Sequence, residues 1–180
     1  DVVVTFSITT YTVNGSVSGG HGSVSPGTQT VEYGSSASIT IKPDPGYAIA
    51  GISDNGSPAT IAKPYVIGSV TTNHDVVVTF SITTYTLTYT AGANGSITGT
   101  SPQTVNYGGS GTAVTAVGNT GYHFGNWTDN STANPRTDTN VTANVSVTAN
   151  FAGNLPAPWQ GRDIGSPGRA GSAIAESGSF

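Results

Sequence analysis

The side chains that could carry acid–base or metal chemistry are few. They are His21, His74 and His123, with Asp44, Asp54, Asp129 and Asp138 among the carboxylates. A nucleophile–base couple or a metal site needs such groups to converge, and ligands on one element commonly betray themselves by short regular spacings. No two of the histidines stand at such a spacing. His21 lies in a glycine-rich turn, His74 just before a strand, and His123 between two core aromatics and therefore facing outward. Two carboxylates across a cleft would suit glycoside hydrolysis, and Asp54 and Asp129 are the pair to weigh. They occupy equivalent positions of two repeats, which sets them a repeat apart instead of the roughly 5–10 Å that chemistry requires. Each reads as a turn former bonding its own backbone. Asp54-Asn55-Gly56 has the opening of a calcium loop without its further acidic ligands or terminal Glu. The chain contains no cysteine, so disulfides, thiolate ligands and thiol nucleophiles are excluded. No catalytic, metal or cofactor-binding residue is assigned, no cofactor is expected, and the chain does not read as an enzyme.

Two other residue types could make contacts. Trp127 and Trp159 could stack on sugar rings, but Trp127 fits a core position and Trp159 follows a Pro-rich linker. Trp159 is the one candidate for a ligand or docking contact. Asn-x-Ser/Thr occurs at Asn14, Asn55, Asn94, Asn126, Asn130, Asn140 and Asn144, as a chain rich in Asn and Thr produces by composition. Asn14, Asn55 and Asn94 read as turn residues.

The elements that must hold these residues are strands. Of 180 residues, 35% are hydrophobic and 8% charged, with a net charge of −4 and 25 glycines. Leu occurs only at Leu87 and Leu155, and Glu only at Glu32 and Glu176. The apolar residues are mainly Val, Ile, Tyr and Phe alternating with Thr, which suits a pleated, half-buried surface and gives an all-β class. A mildly acidic chain without a basic stripe argues against nucleic acid or anionic membrane as partner. The sequence has no signal peptide and no apolar run long enough for membrane insertion, as expected of a mature or excised segment.

Repetition organises the whole. Asp1-Val-Val-Val-Thr-Phe-Ser-Ile-Thr-Thr-Tyr-Thr12 recurs unchanged as Asp75–Thr86, an offset of 74 residues. Gln29-Thr-Val-Glu-Tyr33-Gly34 answers to Gln103-Thr-Val-Asn-Tyr107-Gly108. Gly46-Tyr47-Ala-Ile49 answers to Gly121-Tyr122-His-Phe124, and Val76, Val78 and Phe80 to Val147, Ala149 and Phe151. The expected organisation is residues 1–10 as the closing strand of a truncated upstream repeat, 11–83 as repeat 1, 84–152 as repeat 2, and 153–180 as a linker and the start of a truncated C-terminal β-domain. Residues 2–8 are expected in β-structure. In repeat 2 a strand over Thr112–Val117 would turn Ala113 and Val117 to one face. The expected core there is Tyr85, Leu87, Val105, Tyr107, Val114, Tyr122, Phe124, Trp127 and Phe151. Ser57–Lys63 is the one place for a short helical turn.

The Gln-Thr-Val-x-Tyr-Gly motif, then Gly-Tyr-x-Phe/Ile, then Trp127, then a closing Val-x-Ala-x-Phe strand resembles one family. It is similar to the divergent internalin B-type repeat of bacterial surface and secreted proteins, over residues 1–152. Repeat 1 departs at Ile52, where that family usually has Trp. The resemblance implies tandem small β-rich repeats, β-grasp-like or small sandwiches, followed here by an extended tail, with no catalytic residues to transfer. It also implies an extracellular or cell-surface location in a bacterium. Strand order is left open by periodicity. Three roles follow as expectations: a non-catalytic spacer or stalk, an adhesin-like module binding a surface glycan through an exposed aromatic such as Trp159, or a self-assembling fibre subunit whose residues 1–10 add as a strand to another copy.

Overall fold

A computed structural model describes residues 1–154, and among these there is no helix. The chain divides into two compact units, residues 1–84 with 106–108, and the remainder from Tyr85 on. Trp159 and the tail lie outside the described residues.

Repeat 1 contains β1 (Thr10–Ser18), β2 (Gly22–Ser25), β3 (Thr28–Glu32), β4 (Ala37–Pro43), β5 (Tyr47–Asp54), β6 (Ser57–Ala59), β7 (Tyr65–Ile67) and β8 (His74–Ile82). Five of them form one sheet in the order β3-β1-β8-β5-β6, and a smaller sheet runs β2-β4-β7. The first and last strands, β1 and β8, lie side by side and parallel at the centre, while their outer neighbours pair antiparallel. Period-two alternation explains the core. Ala37, Ile39 and Ile41 of β4 are buried while Ser38, Thr40 and Lys42 are exposed, and they meet Val13, Ile52, Val76 and Val78 of the large sheet.

Repeat 2 contains β9 (Thr84–Ala91), β10 (Gly95–Thr98), β11 (Gln103–Asn106), β12 (Thr115–Gly118), β13 (Tyr122–Trp127) and β14 (Val145–Gly153). Its sheets run β11-β9-β14-β13 and β10-β12, again with first and last strands parallel at the centre. Leu87, Tyr89, Val114, Ala116, Trp127, Val141, Val147 and Ala149 form its core. Each repeat thus has a central parallel pair in its larger sheet and a second, smaller sheet, the strand order that periodicity left open.

Several sequence expectations are corrected. Ser57–Lys63 holds no helical turn. Asn55 (φ 49°) and Gly56 (φ 78°) both adopt positive φ, which suits a two-residue hairpin turn, and Ser57–Ala59 pairs back onto Ile52–Asp54 as β6. In repeat 2 the strand begins at Thr115, three residues later than expected. Ala113 and Val117 share one face as expected, and it is the exposed one, while Val114 and Ala116 point inward, as successive residues of an extended chain alternate. Of the expected core, Leu87, Val114 and Trp127 are buried, and Tyr85, Val105, Phe124 and Phe151 are half-buried. Tyr107 and Tyr122 are exposed, each lying just beyond or at the end of its strand. Asn14 is not a turn residue but sits within β1, opposite Thr28 and beside Asp75, and accepts a hydrogen bond from the Thr28 hydroxyl.

Residues 1–9 form no strand. Val2, Val3, Val4, Phe6 and Ile8 are all largely exposed, whereas Val76 and Val78 of the identical segment are fully buried. A strand of this sequence is held by β1 on one side and β5 on the other, and in repeat 1 both are already joined by β8.

Candidate functional site

The charged groups converge in repeat 2, around a residue that sequence reasoning passed over. Arg136 is buried, and its backbone pairs in both directions with Val114. That pairing carries the guanidinium over the core, 5.5 Å from the centre of the Trp127 ring. Nε and Nη2 of Arg136 donate to the two oxygens of Asp138 at 2.8 and 2.7 Å, a bidentate fork. Nη1 reaches Asp129, whose carboxylate also accepts the Ser131 N–H. Tyr89 donates its hydroxyl to Asp138 at 2.7 Å.

These contacts set the titration of the group. The hydrogen bond from Arg136 holds Asp138 below the usual carboxylate range, against the effect of burial. Burial alone would raise Asp129, but the bonds from Arg136 and the Ser131 N–H outweigh it and hold that carboxyl low as well. The bond to Asp138 raises Arg136, and burial raises Tyr89, helped by its bond to Asp138. An arginine saturated by two carboxylates, with a tyrosine closing the ring, joins three segments of the repeat. It leaves neither a free acid nor a free base.

Repeat 1 uses the same position differently. Ile39 pairs with Tyr65 as Val114 pairs with Arg136. The Tyr65 hydroxyl donates to Asp54 at 3.2 Å, and His74 Nδ1 lies 2.8 Å from the same carboxylate. His74 and Asp54 are thus brought together, which their sequence spacing did not indicate. A His–Asp couple is the orienting half of a catalytic triad. Here the carboxylate is instead shared with the phenol of Tyr65, and the couple ties the last residue of β5 to the first of β8. Asp129 makes the turn bond expected of it, while the Asp54 carboxylate is bonded by the side chains of His74 and Tyr65. The two sets belong to separate repeats.

The remaining candidates are local. His21 adopts positive φ in its turn and stacks on Tyr47 with ring centres 4.1 Å apart. His123 is exposed and bonds Asn154 through Nδ1. The Asp44 carbonyl accepts the Tyr47 N–H in the turn before β5. Trp127 is fully buried, its Nε1–H donating to the Ala133 carbonyl. The repeated Gln also gains a reason: Gln103 is buried and bonds both the carbonyl and the N–H of Thr112, clamping β11 to the loop before β12. Among the described residues no group of three or more His, Cys, Asp or Glu could hold a metal ion.

What remains unused is the apolar segment Asp1–Ile8, which the structure leaves exposed ahead of β1. The family model of the divergent InlB B-repeat domain matches residues 9–84 and again residues 85–155. No curated protein and no solved structure matches the chain. Two consecutive matches that cover most of the chain, on two repeats of one central strand arrangement, place this protein in the divergent InlB B-repeat domain family.

Proposed function

We propose that this chain is a non-catalytic spacer of a bacterial surface protein, in which each repeat adds a fixed length. The family is one found in bacterial surface proteins. The observation that carries the reading is the parallel pairing of first and last strands, β1 with β8 and β9 with β14. A chain so arranged comes into a repeat at one end of the sheet and leaves at the other. Nine-residue strands such as β8 advance it by about 30 Å. β8 passes to β9 across Thr83 alone. The Asp54, Asp129 and Asp138 carboxylates are engaged in bonds within their own repeats. Small-angle scattering on this chain, and on chains with one and two further copies of residues 11–84 inserted after Thr84, tests the reading. The longest dimension should grow by a constant increment of about 30 Å per copy. A dimension that does not grow with copy number overturns it.

A second reading, strand addition by residues 1–10 to another copy, is favoured by one observation. Asp1–Ile8 carries the sequence of a buried central strand and is exposed. It cannot fill the β8 position of its own repeat, because Thr9 alone separates it from β1. A parallel partner needs a crossover of roughly a dozen residues or more. Its acceptor would be the β1–β5 groove of a second copy whose β8 has left. Charging β8 by Val76→Asp with Val78→Asp should therefore yield concentration-dependent oligomers. Adding Val2→Asp with Val4→Asp should return them to monomers. A β8 variant that stays monomeric at all concentrations sinks this reading.

A further inference from the structure

We infer that each repeat is a shear clamp, built to bear tension applied along the chain. The inference rests on the spacer reading, since only a spacer under load would use it.

The argument starts from strand direction. Tension on a chain pulls the start of a repeat's first strand backward and the end of its last strand forward. Where those strands are neighbours and antiparallel, both pulled ends lie at the same edge, and the ladder opens one rung at a time. Where they are neighbours and parallel, the two pulls run along the strands in opposite senses. The strands must then slide, and every rung is loaded together. In repeat 1 the loaded ladder runs Val13–Ser18 against His74–Thr79. In repeat 2 it runs Leu87–Ala91 against Val145–Ala149.

Sliding is opposed by more than the ladder. Val13, Val76 and Val78 are all fully buried in the same core, and so are Leu87 and Ala149 in the other. A slip of one residue would turn each of these side chains to the wrong face, so register is locked by burial. Both central strands are also flanked: β3 pairs on the outside of β1 and β5 on the outside of β8.

A side chain extends the ladder at the same place in both repeats. The Asn73 carbonyl oxygen of the side chain accepts the Thr12 N–H at 2.9 Å, and that of Asn144 accepts the Thr86 N–H at 2.9 Å. Each Asn lies just before the closing strand and bonds the opening strand. In repeat 1, Asn55 adds a second tie, with its amide donating to the Asn73 carbonyl and its oxygen accepting the Asp75 N–H. The position recurs although its neighbours differ, His74 in one repeat and Val145 in the other.

Single-molecule force spectroscopy tests the clamp by changing only the direction of pull. The chain has no cysteine, so introduced ones give defined attachment points. Pulled through its ends, the full chain should give two unfolding events at high force, the repeat 1 event releasing residues 10–82, on the order of 200 Å of new length. Thr9→Cys with Thr71→Cys attaches both handles at the starting edge of β1 and β8, so the same ladder is peeled. Both positions are exposed. If Thr71→Cys perturbs folding, Thr72→Cys attaches at the same edge. The peeling force should be several-fold below the end-to-end force at equal loading rate. Equal forces in the two geometries overturn the clamp. That outcome is independent of the length increments that test the spacer, so failure of one is distinguishable from failure of the other.

Discussion

Trp127 stands directly opposite Ala149 on the β13–β14 ladder, at the rung that Ile52 and Val78 occupy on the β5–β8 ladder of the other repeat. All four residues are buried, at 0%, 0%, 4% and 0% exposure respectively. A large residue has been matched by a small one across the strand pair, conserving the filled volume. The consequence is a coupled pair. Ala149→Val should overpack repeat 2 and cost about 1–3 kcal/mol. Trp127→Ile should leave a cavity and cost about 3 kcal/mol. Together they rebuild the repeat 1 pair, and the double variant should be more stable than the sum of the single costs requires. Denaturant unfolding followed by calorimetry or circular dichroism gives the double-mutant cycle, and strict additivity would show that the rung is not shared.

Arg136 is the residue whose loss should hurt repeat 2 most among its polar groups. Arg136→Ala leaves the half-buried Asp138 carboxylate without its cation and with the Tyr89 hydroxyl still donating to it, which should cost about 3 kcal/mol. Asp129 is 42% exposed on its side chain, and Asp129→Ala should cost far less than Asp138→Ala. Trp127 fluorescence in a Trp159→Phe background reports the unfolding of this repeat, since Trp127 is the ring beneath the guanidinium. Comparable losses at the two aspartates would contradict the bidentate geometry.

The same cluster makes repeat 2 sensitive to acid. Asp138 and Asp129 have folded values below their ordinary 3.8. Below 3.8 the unfolded chain binds more protons than the folded one, so stability is full above that value and falls as pH drops through the lowered folded values. Tyr89 has the opposite sense. Its folded value lies above 10.0, so its contribution is full below pH 10 and is lost as pH rises beyond it. The midpoint of repeat 2 unfolding should therefore decline on both limbs. Asp138→Asn should flatten the acid limb; an unchanged acid limb would remove Asp138 as its source.

Gly22 and Gly95 are tied to aromatic rings in the two repeats. A Cβ on Gly22 would lie 2.5 Å from Phe80, and one on Gly95 would collide with Phe151. Phe80 and Phe151 are equivalent residues of the closing strands, so each ring covers a bare backbone at the start of the second strand. Gly22→Ala and Gly95→Ala should each destabilise their own repeat by about 1–3 kcal/mol and leave the other unchanged. Thermal unfolding resolved into two transitions reads this directly, and a neutral Gly95→Ala would mean the ring has room to move.

The sequence alone determined the all-β class, the two repeats and the family, because alternation and a recurring motif are local and survive without knowledge of contacts. It also placed Leu87, Val114 and Trp127 in a core, since large apolar residues in phase with a strand have few other places to go. It failed where partnership decides. The strand starts at Thr115 and not at Thr112 because its pairing with β10 begins there, and Ser57–Ala59 is a strand because the Asn55-Gly56 turn returns it onto Ile52–Asp54. Arg136 carried no motif, and its role appears only once pairing with Val114 sets it over Trp127 between Asp129 and Asp138. His74 and Asp54 likewise meet only because β8 lies antiparallel to β5. Residues 1–8 make the same point most simply: the segment identical to them is a fully paired central strand, while they are exposed. A strand is made by its neighbours, and only the tertiary structure says which neighbours are there.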